Sequence, residues 1–194
     1  MTVYKNRDSK KPSVIQVADF ATQGVYESEL KMNLHTGTHV DFPLHTLKDG
    51  KRSDSLDVDR FIGHAIVLDL LHVEDHISVN DLLSYKIEKD DIVLFKTKNS
   101  LTDAFDFAFI YLDKEASQYL VNIGIRAVGT DALGIERNQE GHPTHDILLS
   151  HGVLIIEGLR LKHVKAQRYQ FIGLPLKIAN VEALPMRAIL MEEA

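Results

Sequence analysis

A chain of 194 residues with 44% hydrophobic content is long enough for one compact domain, which at this size hides roughly 70% of its unfolded surface, and residues 1–194 read as a single domain. A net charge of -6, from 28 acids and 22 bases scattered along the chain, leaves no basic stripe for a phosphate backbone, and no apolar run nears the ~20 residues that span a bilayer; neither nucleic acid nor membrane is an expected partner, and without a secretory signal the cytoplasm is the expected location. The absence of cysteine removes disulfides, a thiol nucleophile and Cys-based zinc knuckles, so any metal must sit on nitrogen and oxygen ligands.

In chain order, runs rich in β-branched residues at 13–17, 65–69, 92–95 and 153–156, each bounded by turn or charged residues, predict strands. Phe105, Phe107, Phe109 and Tyr111 alternate in step with a strand and would line a pocket, a subunit contact or the core. Residues 114–121 carry apolar side chains at helical spacing and stop near Gly124, and 144–150 reads as a short helix capped by Thr144 and ended at Gly152. Strands outnumber helices, and several are too close together for a helical crossover each. The class is mixed α and β, but not a regular doubly wound sheet.

The stretch HTGTHVDFPLH, 35–45, holds three histidines and an aspartate. As a helix it would put His35 and His39 on one face, but Asp41 would point nearly opposite and Pro43 disfavours helical geometry at Phe42. As an extended segment, His35, His39, Asp41 and His45 project to one side with period two. Its ten steps would then span roughly 33 Å, too far for one site, so the chain must fold back, with Gly37 and Pro43 as bending points. Imidazole and carboxylate suit zinc or manganese, and three such ligands leave a position open for water. His45, with a pKa near neutrality, suits the proton transfers that hydrolysis needs. A histidine-rich solvated loop is the alternative, and the added Asp and the shared face weigh against it.

Farther along, in HDILLSHGVLIIEGL, His145 opens a short helix and Glu157 ends a very apolar strand. A carboxylate there is costly unless a cation meets it, or it emerges at the strand end into water. The two segments reinforce each other only if they converge in space, which spacing alone does not show. His72 and His76 sit among charges and read as surface; His142 and His151 flank the second segment, at a pocket rim or in solvent; His64 and His163 are isolated. Asp131 would orient a metal-bound histidine from behind or cap the turn that follows it.

Together HTGTHVDFPLH, DGKRSDSLDVDRFIGHAIVLDL, DIVLFKT, VGTDALGIE and HDILLSHGVLIIEGL with its trailing LPLKI resemble the cyclase family of metal-dependent hydrolases, which includes bacterial kynurenine formamidase and isatin hydrolase. The resemblance implies an α/β fold of three layers, β/β/α of the swivelling type, on a partly closed barrel, and a homodimer or larger assembly. It implies one or two divalent ions, zinc or manganese, per subunit: His35, His39 and Asp41 on one, with Asp41 bridging to a second held by His145 and Glu157. His45 would be the acid-base residue. Family members begin with a strand and a DLT- or DLS-like turn before a segment like MPVYPG; this chain begins inside that segment, and the first strand is expected to be missing. Where formamidases place a tryptophan against the substrate's aryl group this chain has Tyr4, which would stack on such a ring or serve as an ordinary strand residue. The implied activity is arylformamidase-like hydrolysis of N-formyl-L-kynurenine or a related aryl formamide. A cyclic-amide (isatin-like) hydrolase and a non-catalytic metal- or small-molecule-binding protein are the alternatives.

Overall fold

The structure, a computed structural model, describes residues 2–55 and 57–192. Its strands are β1 (Ser13–Ala18), β2 (Glu27–Lys31), β3 (His39–Asp41), β4 (Ile62–Asp69), β5 (His76–Ile77), β6 (Ile92–Lys96), β7 (Tyr111–Leu112), β8 (Ala127–Thr130), β9 (Leu154–Glu157), β10 (Arg168–Pro175) and β11 (Ala183–Met191). The helices are α1 (Val79–Leu82), α2 (Lys114–Ile123) and α3 (Pro143–Ser150). Seven strands close into a barrel in the order β10-β11-β3-β9-β8-β6-β4, so the barrel is complete where a partly closed one is expected. Its β4, β6, β8 and β9 neighbours pair in parallel, and the remaining pairings are antiparallel.

Period-two alternation splits the apolar side chains of the wall into two sets. Ala65, Val67, Ile92, Leu94, Ala127, Leu154 and Ile156 point into the barrel, where they meet Val40, Phe42, Tyr169 and Phe171. Their neighbours Ile66, Leu68, Val93, Phe95, Val128 and Ile155 point outward and pack under Leu120 of α2 and Leu148 and Leu149 of α3. Strands buried on both faces read as continuous apolar runs, which is why three of the four predicted strands, at 65–69, 92–95 and 153–156, are legible in sequence. β10, which the sequence reading does not pick out, alternates instead: Tyr169 and Phe171 are buried, while Arg168, Gln170 and Ile172 are only half-buried.

Helix α2 follows its sequence pattern, with the Asp113 side chain accepting from Ala116 N at 2.6 Å and Gly124 ending it at φ 83°. Helix α3 starts one residue earlier than expected: Pro143 occupies the first turn and His142, in left-handed conformation, is the N-cap, so Thr144 lies inside the helix rather than capping it. The aromatic run is not a strand either. Asp106 Oδ1 accepts from Ala108 N at 2.8 Å, turning the chain at Phe107–Ala108, and only Tyr111 and Leu112 pair in β7. Phe109 is buried and Phe107 exposed. β1 and β2 pair with each other as a separate arm whose Val14, Ile15 and Leu30 are exposed. No helix among the described residues is long and apolar enough to cross a membrane.

Candidate metal centre

Strands β3 and β9 run antiparallel with Val40 opposite Ile156, and both of these fill the barrel. Alternation therefore puts His39, Asp41 and Glu157 on the outer face, with His39 directly opposite Glu157. Gly37, at φ 71°, turns the chain between His35 and His39, and Pro43 opens the short 3-10 turn Pro43–His45 that brings His45 back. Both are the bending points expected from sequence. Helix α3 packs on β9 and delivers His145 to the same face.

The two distant segments converge. Asp41 Oδ1 lies 3.1 Å from His35 Nδ1 and 3.5 Å from His39 Nε2, and Oδ2 lies 3.8 Å from His145 Nε2. Glu157 Oε2 is 3.4 Å from His39 Nε2, and Oε1 is 3.7 Å from His145 Nε2. His39 Nδ1 sits 2.9 Å from the Gly37 carbonyl, to which it donates, and this leaves Nε2 to face the cluster. His45 lies at the edge, its ring centroid 4.3 Å from that of His35 and 5.3 Å from that of His145.

Asp41 is fully buried and neither of its oxygens accepts a hydrogen bond, although imidazole nitrogens ring it. A buried carboxylate without donors is costly. The same arrangement of lone pairs fits a divalent cation with nitrogen and oxygen ligands, and His39, Asp41 and Glu157 bring donor atoms within 4.8 Å of one another. Without a cation, protons take that place. Burial alone would lower the pKa of His39 and His145, but Glu157 and Asp41, with Glu136 on His145, push them up to about 9 and about 10. Burial would raise Glu157, yet the two imidazoles hold it well below the usual carboxylate range. His45 goes the other way: the part of its ring turned toward its neighbours is partly desolvated, which lowers its pKa against the pull of Asp41, while the rest of the residue is exposed.

A cavity of about 290 Å³ opens onto this cluster, lined by His35, His45, His145 and Glu157 together with Tyr4 and Lys10. Tyr4 belongs to the 3-10 turn Tyr4–Asn6, not to a strand, and its ring meets Phe105 edge-on at 5.2 Å. His142 stands at the rim of the same cavity. Asp131 orients no histidine: its carboxylate accepts from the N–H and hydroxyl groups of Thr97 and Ser100 at 2.7–3.2 Å, which caps the turn after β6 rather than the one after itself. His72 and His76 are at the surface beside Asp81 and Asp75. Two carboxylates that the sequence patterns do not single out also reach the site. Glu182 Oε1 is 3.3 Å from His35 Nε2, and the buried Glu136 is 3.1 Å from His145 Nδ1. The one sequence sign of Glu136 is a carboxylate a few residues ahead of a helix, placed to receive that helix's first N–H groups.

The Cyclase family model, described as "Putative cyclase", matches residues 2–137. A kynurenine formamidase of Salinibacter ruber (strain DSM 13855 / M31) is 34% identical over 166 residues, covering 84% of this chain and 78% of that protein. A solved structure described as "Potential Metal-Dependent Hydrolase With Cyclase Activity" is 46% identical and superposes with a TM-score of 0.91 over 98% of this chain and 90% of that one. Isatin hydrolase A from Labrenzia aggregata, bound to benzyl benzoate, has a TM-score of 0.84 at 24% identity, over 94% of this chain and 84% of that one, and bears on the fold alone.

Proposed function

The chain belongs to the cyclase family, and from that premise we propose that it is a metal-dependent hydrolase of non-peptide carbon-nitrogen bonds whose substrate is an aryl formamide, N-formyl-L-kynurenine first. The observation that carries the reading is the buried Asp41 carboxylate, free of hydrogen-bond donors and surrounded by His35, His39, His145 and Glu157. His35, His39 and Asp41 would hold one ion, and Asp41 would share a second with His145 and Glu157. In support, Oδ1 faces the first pair of imidazoles and Oδ2 the third. Zinc and manganese both suit these donors.

When bound, such an ion supplies a Lewis acid that makes water more acidic and steadies negative charge on the carbonyl oxygen. The protein's own groups do the rest. His45, neutral at pH 7 because its pKa is lowered, accepts a proton from the attacking water. As the carbon-nitrogen bond breaks, the imidazolium returns that proton to the departing aryl amine, leaving formate. Tyr4, in the cavity wall, packs its ring against the aryl group; burial and the charges of Glu157 and Glu136 raise its pKa and keep the phenol neutral.

A cyclic-amide hydrolase has the shared fold in its favour, and a non-catalytic binding protein would use the same cavity. A homodimer or larger assembly would cover the exposed Val14, Ile15 and Leu30 of the β1–β2 arm. The test is turnover by the purified chain, loaded with zinc or with manganese, of N-formylkynurenine, other aryl formamides, isatin and esters. Formamide turnover well above that of isatin is expected. Isatin as the faster substrate would replace the reading with the cyclic one, and no turnover of any compound would leave a binding protein.

A further inference from the structure

Glu136 is buried midway along the loop between β8 and α3, and both its oxygens are engaged. Oε2 accepts from Thr144 N at 2.9 Å and from His145 N at 3.4 Å, holding the first turn of α3. Oε1 lies 2.6 Å from His142 Nδ1 and 3.1 Å from His145 Nδ1. One side chain thus holds the backbone at the start of α3 and stands 3.1 Å from a buried ring nitrogen, His145 Nδ1, that makes no hydrogen bond of its own in the cation-free protein.

We propose that Glu136 is the positioning residue of His145: its carboxylate, poised 3.1 Å from the unpartnered Nδ1, accepts from Nδ1–H when a cation takes Nε2, and so sets the rotation and tautomer of that ring with Nε2 toward Asp41 and Glu157. The inference rests on the reading of His145 as a cation ligand. An imidazole free to rotate about its χ2 could turn either nitrogen toward the cluster. The carboxylate behind it removes that freedom and makes the ring a stronger donor. His142, on the same oxygen but with an exposed ring, borders the cavity and is no part of this restraint.

A purely structural role, pinning the start of α3, would also make Glu136 matter, so the test separates the two with a double-mutant cycle. Zinc affinity is measured by competition with a chromophoric chelator on the wild-type chain, Glu136→Ala, Glu136→Gln, His145→Ala and the double variant Glu136→Ala/His145→Ala, with circular dichroism and thermal melts reporting the fold. Glu136→Ala is expected to weaken zinc binding about 10–100-fold, in the range for removal of a carboxylate behind a metal-bound histidine. Glu136→Gln, whose amide oxygen still accepts from Nδ1–H, is expected to recover part of that loss. In the His145→Ala background the same change is expected to cost less than about threefold. Wild-type affinity in folded Glu136→Ala overturns the proposal, as does a loss that persists undiminished without His145. Should Glu136→Ala fail to fold, the cycle is run with Glu136→Gln, and full additivity with His145→Ala is the overturning result. Equal zinc affinity in His145→Ala and wild type removes His145 from the ligands, and the proposal with it, a result distinct from failure of Glu136 alone.

Discussion

His39 and Glu157 are directly opposed residues of the β3–β9 ladder, both buried, with Nε2 of one 3.4 Å from Oε2 of the other. Glu157 also accepts from Ile135 N at 2.6 Å and faces His145, so it shares with Asp41 the charge of two imidazoles and satisfies one backbone donor. Removing one partner of a buried charged pair leaves the other uncompensated. Glu157→Ala is therefore expected to destabilise the cation-free protein by about 3–5 kcal/mol, read by urea unfolding at pH 7. Glu157→Gln can still accept from Ile135 N and is expected to lose less stability but as much bound zinc. If both variants kept full zinc content, Glu157 would be no ligand.

The ladder ends in a close backbone approach. Gly158 has φ 71°, and a Cβ there would run into the Gly37 carbonyl, the group that holds His39 Nδ1. Thr38 Oγ1 donates to the Gly158 carbonyl at 2.8 Å across the same gap. Gly158→Ala is expected to cost about 1–3 kcal/mol from backbone strain alone. It should also weaken zinc binding, because His39 turns when Gly37 moves. Thermal melts with and without zinc measure the two parts, and an unchanged zinc-induced shift would show that His39 is held by other means.

His45 touches the cluster only at its edge, so His45→Ala is expected to keep zinc content while lowering kcat by about 10²–10⁴, as for other acid-base groups. Its lowered pKa fixes the sign of the pH dependence: the neutral base survives below the ordinary histidine value of 6.5, and a cation at Asp41 would push it lower still. The acidic limb of the kcat/KM profile is expected below pH 6.5 and should vanish in His45→Ala. A limb that persists in the variant would assign the titration to another group.

The cluster of His39, Asp41 and Glu157 is legible because it uses period two. His39 and Asp41 flank Val40, Glu157 follows Ile156, and burial of Val40 and Ile156 in the barrel decides where the polar residues go. Gly37 and Pro43 mark the bends because few other residues fit there. Convergence of β3 with β9 is not local information, since strand order depends on barrel closure. Glu136 sits in a loop without periodicity and acts through backbone N–H groups and one ring, so residue type and spacing give almost no sign of it. The run from Phe105 to Tyr111 misleads for a related reason: its alternation is that of a strand, but Asp106 bonds to the backbone two residues on and turns the chain.

Protons and a cation compete for the same nitrogens. In the cation-free protein His39 and His145 titrate at about 9 and about 10, both above the ordinary histidine value, so at pH 7.5 both rings carry a proton that a metal must displace. Raised histidine pKa values mean that their stabilising effect is complete below about 6.5 and is lost as pH climbs through 9 and 10. Glu157 has the opposite sign: its pKa is lowered, and its contribution is lost only as pH falls through that value. Zinc binding at pH 7.5 is therefore expected to release close to two protons, and apparent affinity should rise with pH until both rings are neutral. Calorimetric titrations in buffers of different ionisation enthalpy count the protons. If the measured heat does not depend on the buffer, the rings are already neutral, and Asp41 and Glu157 do not hold them charged in the free protein.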